Sequence, residues 1–334
     1  MIESSIIITA YNREDFIGAA IGSALAQSDC GEIEVIVVDD CSVDATRCVV
    51  EEYSCLDSRL RVVFHESNLG VLEATLTGLR LARGRYIFLL DSDDLMHSRR
   101  VARCVQYFEE NTSTSIIVHG IEAFEEFSDI ADKMKGGFNK QFSRYGGCAR
   151  SMKLDEEYFR TGPYVAIHSE RANIEEFVRE CCRMFTVEER MRSYQDLPIC
   201  YYSAFRGVGE AAWVPDILYF RRHHSNNSGA TPTLERATAN AERGVMTISV
   251  TKRLIGEYIS PNIGRILDLK MARAQFILGL YKEDFRSARD ILFSNMIYNY
   301  SYRSRLLLKL RYCLFWFLGA RRALVLKQLV ARFK

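Results

Sequence analysis

No apolar run in this sequence approaches the ~18 residues that crossing a bilayer requires. The best, Tyr312 to Ala320, is about half that long and is bracketed by arginines. Net charge is also nearly absent: 44 Lys and Arg against 43 Asp and Glu leave +1, which argues against a surface basic enough for nucleic acid. No G-x-G-x-x-G follows the first predicted strand, excluding a dinucleotide-binding protein of the NAD type. The ten cysteines are scattered, and the close pair Cys181 and Cys182 lacks the C-x2-C spacing of a metal site. With no basic-then-apolar leader ahead of the first strand, they read as small buried apolar residues in a reducing cytosol, and a cytoplasmic location is expected. There is no internal repeat and no low-complexity stretch.

What the sequence does have is a composition of 48% hydrophobic and 26% charged residues over 334 positions, enough core for one large domain or one and a half. The first hundred residues alternate strand and helix patterns. Ser5 to Ile8 and Val35 to Val38 are β-branched runs suited to strands buried on both faces. Arg61 to Phe64 and Tyr86 to Leu90 read as the third and fourth strands. Helices fall between them: Asn12 offers a cap with Asp15 completing a capping box, Ser42 or Asp44 caps the second helix, and Gly84 stops the third, Val71 to Ala82. Such units predict a mostly parallel sheet flanked by helices with right-handed crossovers, and ligands to such sheets gather at the strands' carboxyl ends. A further strand is expected at Ser115 to Val118, a mobile loop at Lys135 to Gly147, charged helix from Glu170 to Arg192, a strand pair bent at Pro215 within Ala211 to Phe220, and helices from 235 to 334 broken at Pro261 and Gly319.

The unusual residues fall at the predicted strand ends. Asp91-Ser92-Asp93-Asp94 crowds three carboxylates where mutual repulsion is costly without a cation. Hard oxygen donors in small number suit Mn2+ or Mg2+ bridging a diphosphate, although such acids also cap helices or lie solvated in turns. Asp39 and Asp40, after the second strand, suit a turn and helix cap. In the same crevice as Asp91 to Asp94, a carboxylate there can also accept from a nucleobase N–H or a ribose hydroxyl, with Tyr11 stacking on the base.

Four segments together carry a resemblance: Ser5-Ile-Ile-Ile-Thr-Ala-Tyr-Asn-Arg13, Glu34-Val-Ile-Val-Val-Asp-Asp-Cys-Ser42 with Asp44, Asn68-Leu-Gly70, and Ala82-Arg-Gly-Arg-Tyr-Ile-Phe-Leu-Leu-Asp-Ser-Asp-Asp94. In order and spacing they resemble family 2 glycosyltransferases of the GT-A fold, densely from residue 4 to about 100 and sparsely to about 228. Two departures stand out: Thr9-Ala10 where the first motif commonly has proline, and Cys41 where glycine or asparagine is common. The resemblance implies an α/β GT-A (Rossmann-like) catalytic domain over 1–230, with a nucleotide-binding half (1–100) and an acceptor half (101–230), followed by a helical region over 231–334. It also implies an inverting transferase taking a sugar from a nucleotide diphosphate, usually UDP. Thr9, Tyr11, Asp40, Asp91, Ser92 and Arg221 would hold the nucleotide sugar, and Asp93 would be the direct metal ligand.

Inversion requires a base for the acceptor hydroxyl and something to absorb charge on the departing diphosphate. Ser193-Tyr-Gln-Asp-Leu-Pro198 is similar to the family's acidic motif at a helix head, making Asp196 the candidate base; a helix N-cap is the plainer alternative. Glu188 and Glu189 are fallback bases. Leu218-Tyr-Phe-Arg-Arg-His-His-Ser-Asn-Asn-Ser228 resembles the family's Tyr-Arg-x-His segment, so Arg221 would clamp phosphate and His223, or in another register His224, would meet the metal or diphosphate.

No acidic residue follows Asp290, while Arg303, Arg305, Lys309, Arg311, Arg321, Arg322, Lys327, Arg332 and Lys334 make 301–334 a basic tail on an acidic body. With Tyr312, Phe315, Trp316 and Phe317 it suits the anionic inner face of a membrane, hence peripheral attachment and a lipid-linked saccharide as one class of acceptor. Its basic residues do not gather on one helical face, so ordinary packing, against the domain or a second subunit in a homo-oligomer, is the competing reading. At the level of function, the alternative to a polysaccharide-building transferase is a non-catalytic sugar-nucleotide-binding subunit.

Overall fold

A computed structural model describes residues 2–125, 130, 132–134, 150–152, 165–205, 210–224, 233–256, 261–294, 307–320 and 323. The expected loop at Lys135 to Gly147, residues 225–228 of the His-His segment, and most of the basic tail lie outside the described residues. By internal packing the chain divides into two units, Met1–His223 with Leu254–Tyr258, and His224–Arg253 with Ile259–Lys334.

The first unit opens with β1 (Ser4–Ala10), α1 (Ile17–Leu25), β2 (Ile33–Asp39), α2 (Thr46–Leu56), β3 (Leu60–Phe64), α3 (Gly70–Leu81) and β4 (Tyr86–Asp91). All pairings among these strands are parallel, in the order β3-β2-β1-β4. Parallel strands covered on both faces must be apolar throughout, and Ile6, Ile7, Ile8, Val35, Ile36, Val37 and Val38 are all buried. β5 (Leu95–Met96), α4 (Arg100–Glu110), β6 (Thr114–Phe124), β7 (Arg150–Met152), β8 (Val165–His168), α5 (Ile174–Met184), α6 (Val187–Met191), α7 (Asp196–Phe205) and β9 (Glu210–Arg222) follow. The nine-stranded sheet continues β4-β8-β6-β9-β5, with β7 also on β9 and β8 antiparallel to both β4 and β6.

Local differences from the sequence reading have identifiable causes. Asn12 does not cap α1: it takes a left-handed conformation (φ 53°) and its side-chain oxygen accepts from Val43 N–H at 2.9 Å, tying the first loop to the second. The expected strand pair around Pro215 is one long strand, because a bulge absorbs Pro215 and Asp216 opposite the step from His119 to Gly120, where Gly120 lets the Pro215 and Asp216 carbonyls approach. Gly84 is no helix terminator; α3 ends at Leu81. Its role is close approach: a Cβ there would lie 2.5 Å from Ser5 N and 2.6 Å from the Ser4 carbonyl carbon.

The second unit holds most of α8 (Leu234–Ile255), α9 (Pro261–Tyr281), α10 (Phe285–Leu292) and α11 (residues 307–320). Pro261 starts α9, the helical position where its missing N–H costs nothing. A break not read from the sequence separates α9 from α10: Glu283 is left-handed (φ 58°) and Asp284 caps α10 by accepting from Ser287 N–H at 3.1 Å. Phe276, Leu280, Ala288, Leu292, Leu308, Phe315 and Ala320 form this unit's core.

Gly84→Ala is expected to destabilise the protein by about 1–3 kcal/mol, because the contact is with backbone that cannot swing aside. Urea unfolding checks it: the midpoint should fall at unchanged slope, and an unchanged midpoint would contradict the close approach.

Candidate active site

Because β2, β1 and β4 are adjacent and parallel, their carboxyl ends share one edge, with Ala10 level with Asp39 and Thr9 level with Asp91. Two strand spacings, roughly 10 Å, separate the ends of β2 and β4. The loops leaving β1 and β2 are laced together. Asn12 N–H donates to Ser42 Oγ at 2.9 Å, Arg13 N–H to Thr46 Oγ1 at 2.7 Å and Ala45 N–H to Glu14 Oε2 at 2.7 Å, while Ser42 donates to Asp39. Cys41 sits at φ 64°, in the left-handed region that favours the glycine or asparagine it replaces.

At the end of β4, the carboxylates of Asp91, Asp93 and Asp94 bring oxygens within 4.8 Å of one another. Burial first, then Asp94, Asp93 and Asp196, pushes the Asp91 carboxyl well above the ordinary carboxylate range. Asp94 is pushed up to about 7, by burial and then by Asp93. Opposing this, Tyr219 OH donates to Asp94 Oδ2 at 2.8 Å and Arg222 N–H to Oδ1 at 2.8 Å. Tyr219 also accepts from Asp91 N–H at 3.2 Å, so one hydroxyl locks both ends of the turn. Arg222 donates through Nε to the Asp93 carbonyl at 3.1 Å, its guanidinium lying over Phe124 and Phe16. Arg13 Nε stands 3.5 Å from Asp93 Oδ2.

Beneath this turn lies a buried cation, Arg100. It donates to the carbonyls of Leu89 and Val165, each at 3.0 Å, and to His119 Nε2 at 3.0 Å, and lies 5.1 Å from the Tyr219 ring centroid. Arginine cannot accept, so His119 must accept through Nε2 and donate Nδ1–H to the Gly120 carbonyl at 3.0 Å. Burial and then Arg100 hold the His119 pKa well below its usual value, which keeps that tautomer neutral.

Asp40 is buried and accepts from Leu69 N–H at 2.8 Å, Gly70 N–H at 2.7 Å and His65 Nδ1 at 2.8 Å. Its carboxylate thus caps α3 from a neighbouring loop, where negative charge meets the helix's N–H groups. Gly70, at φ 81°, presses on α6: a Cβ would lie 2.3 Å from the Met191 carbonyl oxygen. One turn along α3, Glu73 forms a buried ion pair with Arg190. Helix α6 ends at Met191, five residues before Asp196.

Thr9, Asp91, Ser92 and Asp93 lie together on the β1 and β4 ends, with Ser92 buried. Tyr11 is 44% exposed, an aromatic face open to solvent above the same edge. Asp196 opens α7 and lies near enough to Asp91 to raise its pKa. Arg221 is exposed and acts on Asp94 through longer-range attraction, whereas Arg222 makes the contacts. His223 is exposed and its N–H donates to the Phe124 carbonyl at 2.7 Å. Glu188 is exposed beside Arg192, and Glu189 is spent in a capping box with Thr186. Arg13, Arg100, His119, Tyr219 and Arg222 were given no such role by sequence reading; strand pairing between β6 and β9 brings the last two to the turn, a contact no local pattern signals.

A parallel β3-β2-β1-β4 half with acids on its carboxyl edge defines an open α/β sheet of the kind whose ligands gather at that edge. The glycosyl transferase family 2 model matches residues 5–181, and the chain belongs to that family. The putative teichuronic acid biosynthesis glycosyltransferase TuaG of Bacillus subtilis is 37% identical over 108 residues, 32% of this chain and 42% of TuaG, so the match spans less than half of that relative. Among solved structures, S. aureus TarS 1-349 in complex with UDP-GlcNAc has a TM-score of 0.55 at 17% identity, covering 87% of this chain and 89% of that one. Mannosyltransferase PcManGT from Pyrobaculum calidifontis, in complex with GDP-Man and Mn2+, has a TM-score of 0.55 at 17% identity, covering 94% and 80%. The fold is therefore GT-A.

Asp91 and Asp94 keep their protons to higher pH in the folded chain than in the unfolded one. The stability that Asp94 contributes in this way is complete below the ordinary carboxylate range and is lost as pH rises through about 7. In chelator-treated protein, Asp94→Asn should therefore flatten the decline in unfolding free energy between about pH 5 and 8. Urea titrations at several pH values check this, and an unaltered slope would contradict the shift.

Proposed function

We propose that the chain is an inverting glycosyltransferase that moves a sugar from a nucleotide diphosphate, of the UDP type, to a saccharide or lipid-linked saccharide in surface polysaccharide synthesis. The observation that carries this reading is the gathering of Asp91, Asp93 and Asp94 at the carboxyl edge of a parallel sheet with Asp196 close by. The catalytic part is assigned to 1–230 and the rest to a helical region whose basic end, 301–334, contacts an anionic membrane surface.

The residues at the edge fit a divalent cation. Their donors are hard carboxylate oxygens, and their crowding leaves negative charge incompletely compensated. Asp93 would be the direct ligand, Asp91 would share it with ribose, and His223 would complete the set. Asp94 would act as orienter, since both its oxygens are already engaged. Mn2+ or Mg2+ bound there would supply charge stabilisation for the departing diphosphate.

The chain's own residues do the remainder. Tyr11 stacks on the base. Asp40 keeps two N–H groups of α3 in place and presents its remaining acceptor capacity to the base, with Thr9 and Ser92 lining the path to the diphosphate. Arg221 and Arg13 hold positive charge at the phosphates. Asp196 takes the proton from the acceptor hydroxyl as its oxygen attacks the anomeric carbon from the face opposite the leaving group. The new glycosidic bond forms while the bond to the diphosphate breaks, inverting the centre with no covalent intermediate.

Asp196→Asn should preserve donor affinity and lower turnover about 10²- to 10⁴-fold; calorimetry with UDP and product assays separate the two, and retention of most of the rate would remove Asp196 as base. Asp93→Asn should abolish the Mn2+ dependence of nucleotide-sugar binding. Equal affinity with and without Mn2+ in the parent protein would refute the metal assignment.

A further inference from the structure

The helical unit contains a cavity of about 290 Å³ between α9 and α11, floored by Ile277, Leu280, Leu314 and Phe315 and edged by Arg273 and Arg311. Sites for whole small molecules run from roughly 300 to 1,000 Å³, so this one has room for part of a molecule. Arg273 is exposed and Arg311 half-buried, and neither forms an ion pair among the described residues. From Leu269 to Tyr281 α9 has no acidic residue, Glu283 is engaged with Ala320 N–H at 2.9 Å, and no acid occurs on α11. Two guanidiniums therefore edge an apolar floor whose described lining holds no acid.

The second observation is on α11 itself. Leu310 is 57% exposed and Phe317 75%, with Leu307 exposed as well. At 100° per residue these three and cavity-lining Leu314 fall within about 80° of arc, and Arg311 lies next to that stripe. Trp316 packs edge-on to Phe317 at 4.9 Å between centroids and is also exposed. Scattered surface apolar residues are ordinary, but a continuous stripe that runs into a cationic cavity is not.

We propose that this face docks on anionic phospholipid, with a headgroup phosphate between Arg273 and Arg311 and with Leu307, Leu310, Leu314 and Phe317 in the acyl boundary. Guanidinium forks match phosphate oxygens, and aromatic and leucine side chains beside cations suit the headgroup level. A second copy of the chain fits less well: in a two-fold contact the same face, which has no acid from 269 to 281 or on α11, would offer the two arginines no counter-charge. The inference refines the membrane-contact part of the proposed function and does not depend on the transfer chemistry. It narrows that contact from the whole basic tail to a built face formed by α11 within it and by α9.

The test is co-sedimentation of the full chain with phosphatidylglycerol and with phosphatidylcholine vesicles. The parent protein should bind the former selectively. Arg273→Gln with Arg311→Gln should weaken partitioning about 30-fold, each charge near an anionic surface contributing about fivefold. Leu310→Ser with Phe317→Ser should weaken it at least about tenfold. Arg273, Leu310 and Phe317 are exposed and Arg311 is half-buried, and matched circular dichroism checks that each variant folds. Binding by the parent that both variants retain would overturn the docking face and leave the contact to the other basic residues of 301–334. No binding by the parent would overturn membrane contact altogether while leaving the transferase reading intact. A dimer by light scattering that the Ser variant disperses would assign the stripe to self-association instead.

Discussion

Like charges crowded in a poorly solvated crevice are the constraint on which this molecule is built. Asp91, Asp93 and Asp94 have carboxylate oxygens within 4.8 Å of one another, with Asp196 near, and their neighbours raise the cost of ionising Asp91 and Asp94. A turn carrying such charges does not hold its shape by itself. It is held by neutral and backbone donors: Tyr219 OH and Arg222 N–H on Asp94, and the return contact from Asp91 N–H to Tyr219. Both donors come from β9, so the sheet order that places β9 beside β6 and β5 is part of the site. Arg100 then fixes Tyr219 from below and is itself fixed by two carbonyls and a neutral histidine.

A second chain of contacts ties the two ends of the site together. Asp40 does not float in the crevice; it holds the first N–H groups of α3. That helix lies against the end of α6 at a point too tight for any side chain on Gly70, and the buried Glu73 and Arg190 pair keeps the two helices in register. Removing one partner of a buried pair leaves an uncompensated charge and costs about 3–5 kcal/mol, so the contact is fixed against sliding. The segment from Met191 to Asp196 leaves from this fixed point. An acid read as binding a base and an acid read as taking a proton are thereby joined by one helix.

The legible part of the sequence was the part governed by local pattern. Buried parallel strands announce themselves by unbroken β-branched runs, and Asp39, Asp40 and Asp91 to Asp94 fall at the ends of such runs, so both the parallel half and its acidic edge followed. What was not legible depends on pairing distant in sequence. Tyr219 looks like an ordinary strand tyrosine until β9 is set beside β6, and Arg100 looks like a helix-surface arginine although it is fully buried. Asn12 carries the composition of a helix cap, yet its side chain bridges to Val43 instead, because two adjacent loops satisfy each other's N–H groups more completely than one helix end would. The Pro215 bend, read as a strand break, is a bulge because Gly120 opposite leaves space for it.

The cations around the acidic turn differ in how firmly they are held, and the difference has a physical consequence. Arg100 is wholly buried and multiply bonded, and burial lowers its pKa only to about 10, so it stays charged at neutral pH. It lies 5.1 Å from the Tyr219 ring centroid, and so supports the turn through the residue that holds both its ends without occupying a carboxylate oxygen. Arg13, by contrast, meets Asp93 directly but at 3.5 Å and with a quarter of its side chain in solvent. A pair of that kind is screened and contributes on the order of 0.2–1 kcal/mol. A buried bidentate arginine at Asp93 would close the edge to any other cation; a weak, half-solvated one neutralises the acid while yielding its place at little cost. The permanent positive charge is thus set under the turn, and the exchangeable one at its rim.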